Sequence, residues 1–335
     1  MEILSHVFGQ TKLKARLSQL LREERLPHTM IFHGDEGLGK TTAALDLAES
    51  LTNTSVWDEY AAWQSEETDK ELLLINRAGR IFYIHPIGAS QTLRIEQFRA
   101  FLEMMATFDD AVRVCMIDEA QGMRREIANA LLKTLEEPPK NLYFILITHE
   151  PEALLPTIRS RGAAFPFFAL TEEEFTELAR AKGATFFAQN EADIRSAYVL
   201  SEGNPGMAAE MFAETGVRQP ETAMDVWDIL TTSLTPFSEA ASFAPKERPE
   251  LRRMLRWMCL IGRDLFALSA TSVGDFARCR QILGREEAIL SSWDGNRAAR
   301  AVEVLKEAES ACKLNISVKN IWDMMTISLL RIRKE

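Results

Sequence analysis

Residues 34–42 read Gly-Asp-Glu-Gly-Leu-Gly-Lys-Thr-Thr, two glycines separated by four residues and followed by Lys and Thr. This is the phosphate-loop pattern, and its context agrees with it. Thr29–His33 just before it is a short apolar stretch that predicts a buried strand. After it, Ala43, Ala44, Leu47, Ala48 and Leu51 recur at helical spacing. Gly34, Gly37 and Gly39 let the backbone curl so that amide N–H groups point at phosphate oxygens, and the helix that follows turns its positive end to the same anion. Lys40 is read as a point charge for the outer phosphates. Thr41 supplies a hydroxyl for the magnesium ion that bridges them, and Thr42 belongs to the helix. The competing reading is a glycine-rich turn into a helix that carries Lys and Thr by chance.

A second stretch argues against chance. Residues 112–118, V-R-V-C-M-I-D, form an apolar strand pattern ending in Asp118, and Glu119 follows. A carboxylate at a strand end beside such a loop can hold the magnesium shell, the part assigned to Asp118, and Glu119 can polarise an attacking water. Two solvated acids at a strand end would be the plainer account.

The 335 residues are 46% hydrophobic and 26% charged, ordinary for a globular chain of two or three domains. A net charge of −10 lacks the basic footprint of a protein that binds nucleic acid alone, so any DNA contact is expected to be local or shared. Cys115, Cys259, Cys279 and Cys312 have neither close pairing nor metal-ligand spacing, which predicts reduced thiols, no disulfide and no zinc site. The opening M-E-I-L-S-H-V-F has no basic end leading into an apolar core, and the most apolar helical stretch, near residues 251–268, carries four arginines and Asp264. A cytoplasmic location follows as an expectation.

Along the chain, V-F-G-Q at residues 7–10 precedes an amphipathic helix through Leu13, Leu17, Leu20 and Leu21. Val7 and Phe8 are candidates for an apolar wall beside an adenine ring, with ordinary packing as the alternative. Residues 52–80 read as a polar, irregular, acidic surface insertion with no assigned role. Ile81–Ile84 predicts a short strand, and Thr92 a cap for a helix whose Ile95, Phe98, Leu102 and Met105 share a face. Met123, Ile127, Leu131 and Leu135 mark another helix, ended by Pro138-Pro139, and Leu142–Thr148 a fully apolar strand. Strands alternating with helices imply a mostly parallel sheet covered on both faces, with ligand at the carboxyl ends of its strands. This α/β domain is expected to span residues 1–168. Thr171 with Glu174 forms a capping-box pattern that opens a small helical domain at 169–217. Residues 217–220 read as a linker, and 221–335 as an all-α domain with Trp227, Leu251, Leu255, Met258, Leu265, Val304, Ile321 and Met325 in its core.

Taken together, these blocks resemble the AAA+ ATPases and, within them, the bacterial clamp-loader subunits of DNA polymerase III. The resemblance covers residues 1 to about 215 and rests on V-F-G-Q at 7–10, R-L-P-H-T-M-I-F-H-G at 25–34, the phosphate loop, I-D-E-A-Q at 117–121, N-A-L-L-K-T-L-E-E-P-P at 129–139 and L-L-P-T-I-R-S-R-G at 154–162. With G-N-P-G at 203–206 and a helical tail after which nothing follows, the chain is most similar to the delta-prime branch of that family.

The resemblance implies an AAA+ domain, a helical lid and a helical collar. It implies that residues 34–41 bind ATP phosphates and Mg2+, that Asp118 and Glu119 are the second acidic motif, and that Thr148 is the first sensor. It further implies that Arg161 acts in trans, as a finger on the neighbouring subunit's nucleotide. Such a finger stabilises charge developing on the transferred phosphoryl and is worth roughly 10³ to 10⁵ in rate. Arg159, two residues away, is a lesser candidate, and for both a surface salt bridge is the alternative. Implied partners are the gamma/tau and delta subunits, the sliding clamp and, through the complex, primer-template DNA.

The chain departs from the family in four places. Gly162 stands where Cys usually follows the arginine; residues 42–111 contain no cysteine for the zinc module many relatives carry; Gly206 occupies the second-sensor arginine position; and only Gln91, Thr92 and Arg94 lie where family DNA contacts fall. Little hydrolysis in cis and weak direct DNA binding are expected. The alternatives are a gamma-type motor subunit or another AAA+ remodeller, and a stand-alone nucleotide kinase, which neither Arg161 nor the helical remainder favours.

Overall fold

The computed structural model describes residues 4–65, 73–87, 92–105, 111–182, 191–212, 219–271, 279, 282–312, 314 and 316–335. They fall into two compact units, Met1–Leu178 with Asn204–Gly206, and Ala179–Gly203 with Met207–Glu335.

The first unit runs α1 (Thr11–Arg22), β1 (Thr29–His33), α2 (Lys40–Thr52), α3 (Trp57–Ser65), β2 (Leu74–Ile75), β3 (Ile81–Ile84), α4 (Ile95–Met105), β4 (Arg113–Ile117), α5 (Arg125–Glu136), β5 (Leu142–Thr148), α6 (Pro156–Arg159) and β6 (Ala163–Pro166), and α7 (Glu172–Lys182) begins in it. The sheet order is β2-β3-β4-β5-β1-β6, parallel throughout except for the β2 edge. Strand residues alternate between two cores, as the period of 2 requires. Met30, Phe32, Ile81, Tyr83, Val114, Met116, Ile145 and Ile147 face one cluster, which also holds Ala44, Leu47 and Ala48 of α2. Ile31, Phe82, Ile84, Cys115, Ile117, Phe144 and Leu146 face the other, with Phe98, Phe101, Ile127 and Leu131 of α4 and α5. Each fully buried side chain of this kind contributes about 1.5–3 kcal/mol, so the two-sided burial fixes the strand register. In that register His33 pairs with Thr148, which brings the ends of β1 and β5 side by side.

Two expectations are corrected. The stretch at 52–80 is not irregular surface: it contributes α3 and β2, buries Val56 completely and leaves Asn76 only 2% exposed, although residues 66–72 lie outside the described set. The driver is aromatic, since Trp57, Tyr60 and Trp63 of α3 pack on the first core and outweigh the acidic composition around them. Ahead of α4 the Thr92 backbone bridges Ile87, and the Gln97 side chain accepts from the Arg94 amide at the helix start (2.8 Å). The linker expected at 217–220 is already helix from Gln219 onward, with 217 and 218 outside the described residues. By contrast the Thr171–Glu174 capping box is formed in both directions. Glu174 N donates to Thr171 Oγ1 (3.2 Å) and Thr171 N to Glu174 Oε2 (3.1 Å).

The second unit is helical: the end of α7, α8 (Glu191–Leu200), α9 (Pro205–Phe212) from Met207 on, α10 (Gln219–Thr232), α11 (Pro236–Ala241), α12 (Arg248–Thr271), α13 (Leu283–Ile289), α14 (Gly295–Ala311) and α15 (Val318–Lys334). Its core gathers Trp227, Leu251, Leu255, Met258, Leu265, Ile321 and Met325, with Val304 packed against it. Trp227 meets Trp293 edge-on at 4.7 Å, and the Trp293 indole N–H donates to Thr231 Oγ1 (2.8 Å). At the start of α12, the Arg248 guanidinium donates to the carbonyls of Cys312, Leu314 and Ile316 at 2.7, 2.7 and 2.8 Å, clasping the α14–α15 connection. All four cysteines are buried free thiols, and no described helix is long and apolar enough to cross a membrane.

Candidate nucleotide site

The loop between β1 and α2 curls through left-handed backbone at Gly37 (φ 85°) and at Gly39 (φ 82°), the cap residue of α2. At Gly34 (φ 140°) a Cβ would stand 2.5 Å from the Phe167 carbonyl, so the neighbouring chain after β6 leaves room for glycine alone. A Cβ at Gly39 would meet nothing within 4 Å, so open space lies over the loop. Lys40 is buried (7% exposed), and its ammonium donates to the loop's own carbonyls, Gly34 O (2.7 Å) and Asp35 O (2.6 Å). Burial pushes its pKa down, while Asp118, Glu119, Glu36 and Asp35 pull it back up.

The second motif lies beside the first. The Thr41 hydroxyl donates to Asp118 Oδ2 at 3.2 Å, bringing together the hydroxyl and carboxylate named for the magnesium shell. Asp118 also accepts from the Tyr83 hydroxyl (Oδ2, 2.6 Å) and the Glu119 amide (Oδ1, 2.9 Å). Burial raises its pKa against the lowering effect of these bonds. Glu119 sits in left-handed backbone (φ 49°), uncommon for a residue with a side chain and a mark of functional positions. Burial acts to raise the Glu119 pKa, but the hydrogen bond and charge of His149 outweigh it and leave it lowered.

Thr148 joins the same network. Its hydroxyl donates to Gln121 Oε1 (2.7 Å), and Gln121 Nε2 in turn donates to Glu119 Oε2 (2.5 Å). His149 Nδ1 lies 3.4 Å from Glu119 and 3.7 Å from Glu36 of the loop. Loop, acidic pair and Thr148 therefore converge. An ammonium, a hydroxyl–carboxylate pair, inward-curled glycines and open space over Gly39 together fit a magnesium-bound nucleoside triphosphate.

The remaining candidates stand apart from this network. Val7 is 5% exposed and packs in the first core with Leu38 and Phe167, while Phe8 is half-buried. Arg161 is 34% exposed and pairs with Glu136 Oε1 (2.6 Å) and Thr157 O (2.8 Å), so its bonds go to α5 and α6 rather than to its own phosphate loop. Arg159 pairs with exposed Glu152.

At the second-sensor position, the Gly206 amide donates to Gly37 O (3.0 Å), and a Cβ there would stand 2.3 Å from Gly37 Cα. Asn204 Nδ2 donates to Glu36 O (2.7 Å), so the 204–206 segment lies flat on the loop. Sequence reasoning missed Tyr83, Gln121, His149 and Asn204. Gln121 was within reach, two residues past the acidic pair. The other three arrive from strand ends and a distant segment, and no spacing announces them.

The sheet order, the loop between β1 and α2, acids at the end of β4 and a hydroxyl at the end of β5 define an α/β phosphate-loop domain with its polar groups gathered at the carboxyl ends of the strands. Its particular relationship comes from comparison with known proteins. Residues 9–171, a little under half of the chain, match the family described as "DNA polymerase III, delta subunit". The gamma/tau subunit of DNA polymerase III from Mycobacterium tuberculosis is 37% identical over 167 residues, 49% of this chain and 28% of the relative. The tau subunit from Escherichia coli is 32% identical over 175 residues, 52% of this chain and 26% of the relative. The replication factor C small subunit of Methanococcus maripaludis is 26% identical over 268 residues, covering 78% of this chain and 73% of the relative. Among solved structures, a gamma-subunit-related protein of Thermotoga maritima aligns over 95% of this chain and 98% of its own, at 18% identity and a TM-score of 0.47. The chain spans only about a quarter of the length of the gamma/tau and tau relatives. The chain is thus similar over about half its length to subunits of DNA polymerase III, and these matches do not separate one branch from another.

Proposed function

We propose that this chain is a delta-prime-type, stator-like subunit of a DNA polymerase III clamp loader, which helps place the sliding clamp on primed DNA. In this reading the AAA+ domain binds ATP and Mg2+ through residues 34–41, with Thr41 and Asp118 in the magnesium shell and Val7 and Phe8 near the base. Glu119 and Thr148 complete the site. Residues 169–217 serve as the lid and 221–335 as the collar that holds gamma/tau and delta subunits, while Arg161 reaches the neighbouring nucleotide in trans. DNA is met through the complex, in the cytoplasm.

The observation that carries this reading is Gly206. A complete phosphate loop supports binding, while at Gly206, the second-sensor position in this reading, any side chain would bring its Cβ to 2.3 Å from Gly37 Cα and leave no place for the arginine that would touch the chain's own nucleotide. The second reading, a gamma/tau-type motor, is favoured by intact Lys40, Thr41, Asp118 and Glu119 and by the gamma/tau names of the relatives above.

DNA- and clamp-stimulated ATP hydrolysis by the reconstituted loader separates the two. Arg161→Ala in this subunit alone should remove much of the activity and Lys40→Ala little. If Lys40→Ala is instead the damaging change, the chain is a motor.

A further inference from the structure

The stretch at 52–80 acquires a role through one hydroxyl. Tyr83, on β3 next to the strand that ends in Asp118, is 3% exposed and donates its proton to Asp118 Oδ2 at 2.6 Å. The Tyr83 ring is flanked by Tyr60 (5.6 Å) and Trp63 (5.5 Å) of α3 edge-on and by His85 (5.5 Å) face-on. Rings of α3 therefore pack against the side chain whose hydroxyl reaches Asp118.

The terminal torsion of an aspartate is soft, so the direction of its lone pairs is set by what bonds to it. At Asp118 the Glu119 amide fixes Oδ1, and Tyr83 and Thr41 share Oδ2. Thr41 is the other member of the magnesium shell in the reading above. Among the described residues, Tyr83 is thus the one side chain that hydrogen-bonds Asp118 without belonging to that shell, and a short bond to a carboxylate is of the stronger, charge-assisted kind.

We propose that Tyr83, packed against Tyr60 and Trp63 of α3, is a positioning residue for Asp118, and that the α3 segment thereby sets the affinity of this chain for the magnesium ion of its nucleotide. The inference rests on the reading that Asp118 serves a nucleotide-bound magnesium. Groups that orient a metal ligand in this way typically change metal affinity 10- to 100-fold when removed.

The test is binding of an N-methylanthraniloyl-ATP probe to the full chain, measured across a magnesium titration and again in EDTA. Tyr83→Phe keeps the packed ring and removes only the hydroxyl. It should raise the magnesium midpoint about 10- to 100-fold and leave the affinity in EDTA unchanged. Tyr60→Leu, which takes away a ring packed on Tyr83, should shift the midpoint in the same direction by a smaller factor. It serves as the readout if Tyr83→Phe melts at markedly lower temperature.

A wild-type midpoint in both variants, or an equal loss with magnesium and in EDTA, overturns the inference. Asp118→Asn separates the layers. If it abolishes the magnesium dependence while Tyr83→Phe and Tyr60→Leu do not shift it, the positioning role fails and the site reading stands. If Asp118→Asn keeps full magnesium dependence, or the wild type binds no probe, the underlying site reading fails and takes the inference with it.

Discussion

Replacing Gly206 by alanine is the sharpest stability test the nucleotide site offers. The added methyl would lie 2.3 Å from Gly37 Cα, 2.9 Å from Gly37 O and 3.1 Å from Gly37 C, all backbone atoms that have no rotamer to yield with. Ordinary carbon contacts begin near 3.5 Å, so loop and segment must part by about 1 Å. Overpacking of this kind costs about 1–3 kcal/mol. Separation also breaks the 3.0 Å bond from the Gly206 amide to Gly37 O, a further ~0.5–1.5 kcal/mol. The expected loss is roughly 2–4 kcal/mol, which for a unit of this size lowers Tm by about 4–16 °C at ~2–4 °C per kcal/mol. Differential scanning calorimetry on the full chain reads it, together with weakened binding of the fluorescent ATP probe because the loop itself has moved. Gly206→Arg should behave at least as badly, since its Cβ meets the same backbone atoms. A Gly206→Ala variant that melts within about 1 °C of wild type and binds the probe equally well would refute the close-packing argument.

Two further outcomes are expected. Glu286 on α13 is fully buried, and both of its carboxylate oxygens lack a hydrogen-bond partner. Burial, then the charges of Asp264 and Glu287, push its pKa from 4.5 to about 8. Its folded pKa is raised, so its contribution to stability is fully present below pH 4.5 and is lost as pH climbs to about 8, a total of roughly 5 kcal/mol at ~1.4 kcal/mol per pH unit. Urea unfolding followed by tryptophan fluorescence should therefore show wild type losing roughly 2–3 kcal/mol between about pH 6 and pH 8 relative to Glu286→Gln; parallel pH profiles would contradict it. Arg161→Ala should cost at most about 1 kcal/mol, since its pair with Glu136 is solvent-accessible. A Tm drop beyond several degrees would mean that the arginine is structural and not available to another chain.

Much of the first unit was legible in the residues themselves. The strand at Thr29–His33, the loop, the Asp118 strand end, the Leu142–Thr148 strand and the Thr171–Glu174 capping box each rest on local chemistry, where a few adjacent residue types suffice to specify backbone. Convergence of Thr41 with Asp118, 77 residues apart, followed from the parallel topology that the alternating pattern imposes. What escaped reading depends on contacts distant in sequence. Acidic composition disguised α3, because Tyr60 and Trp63 find their partner Tyr83 only once β3 is in place. The close approach of Gly206 to Gly37, 169 residues apart, is likewise invisible in G-N-P-G itself.

The clasp made by Arg248 bears on the order in which the second unit assembles. One guanidinium holds three carbonyls that lie 64 to 68 residues further along the chain. During synthesis from the N-terminus, α12 is complete before the α14–α15 connection exists, and at about 5–20 residues per second the interval lasts several seconds. A preformed fork of donors thus awaits a turn that has yet to be made, and α15, when it emerges, docks on a hinge whose geometry the earlier helix has already dictated.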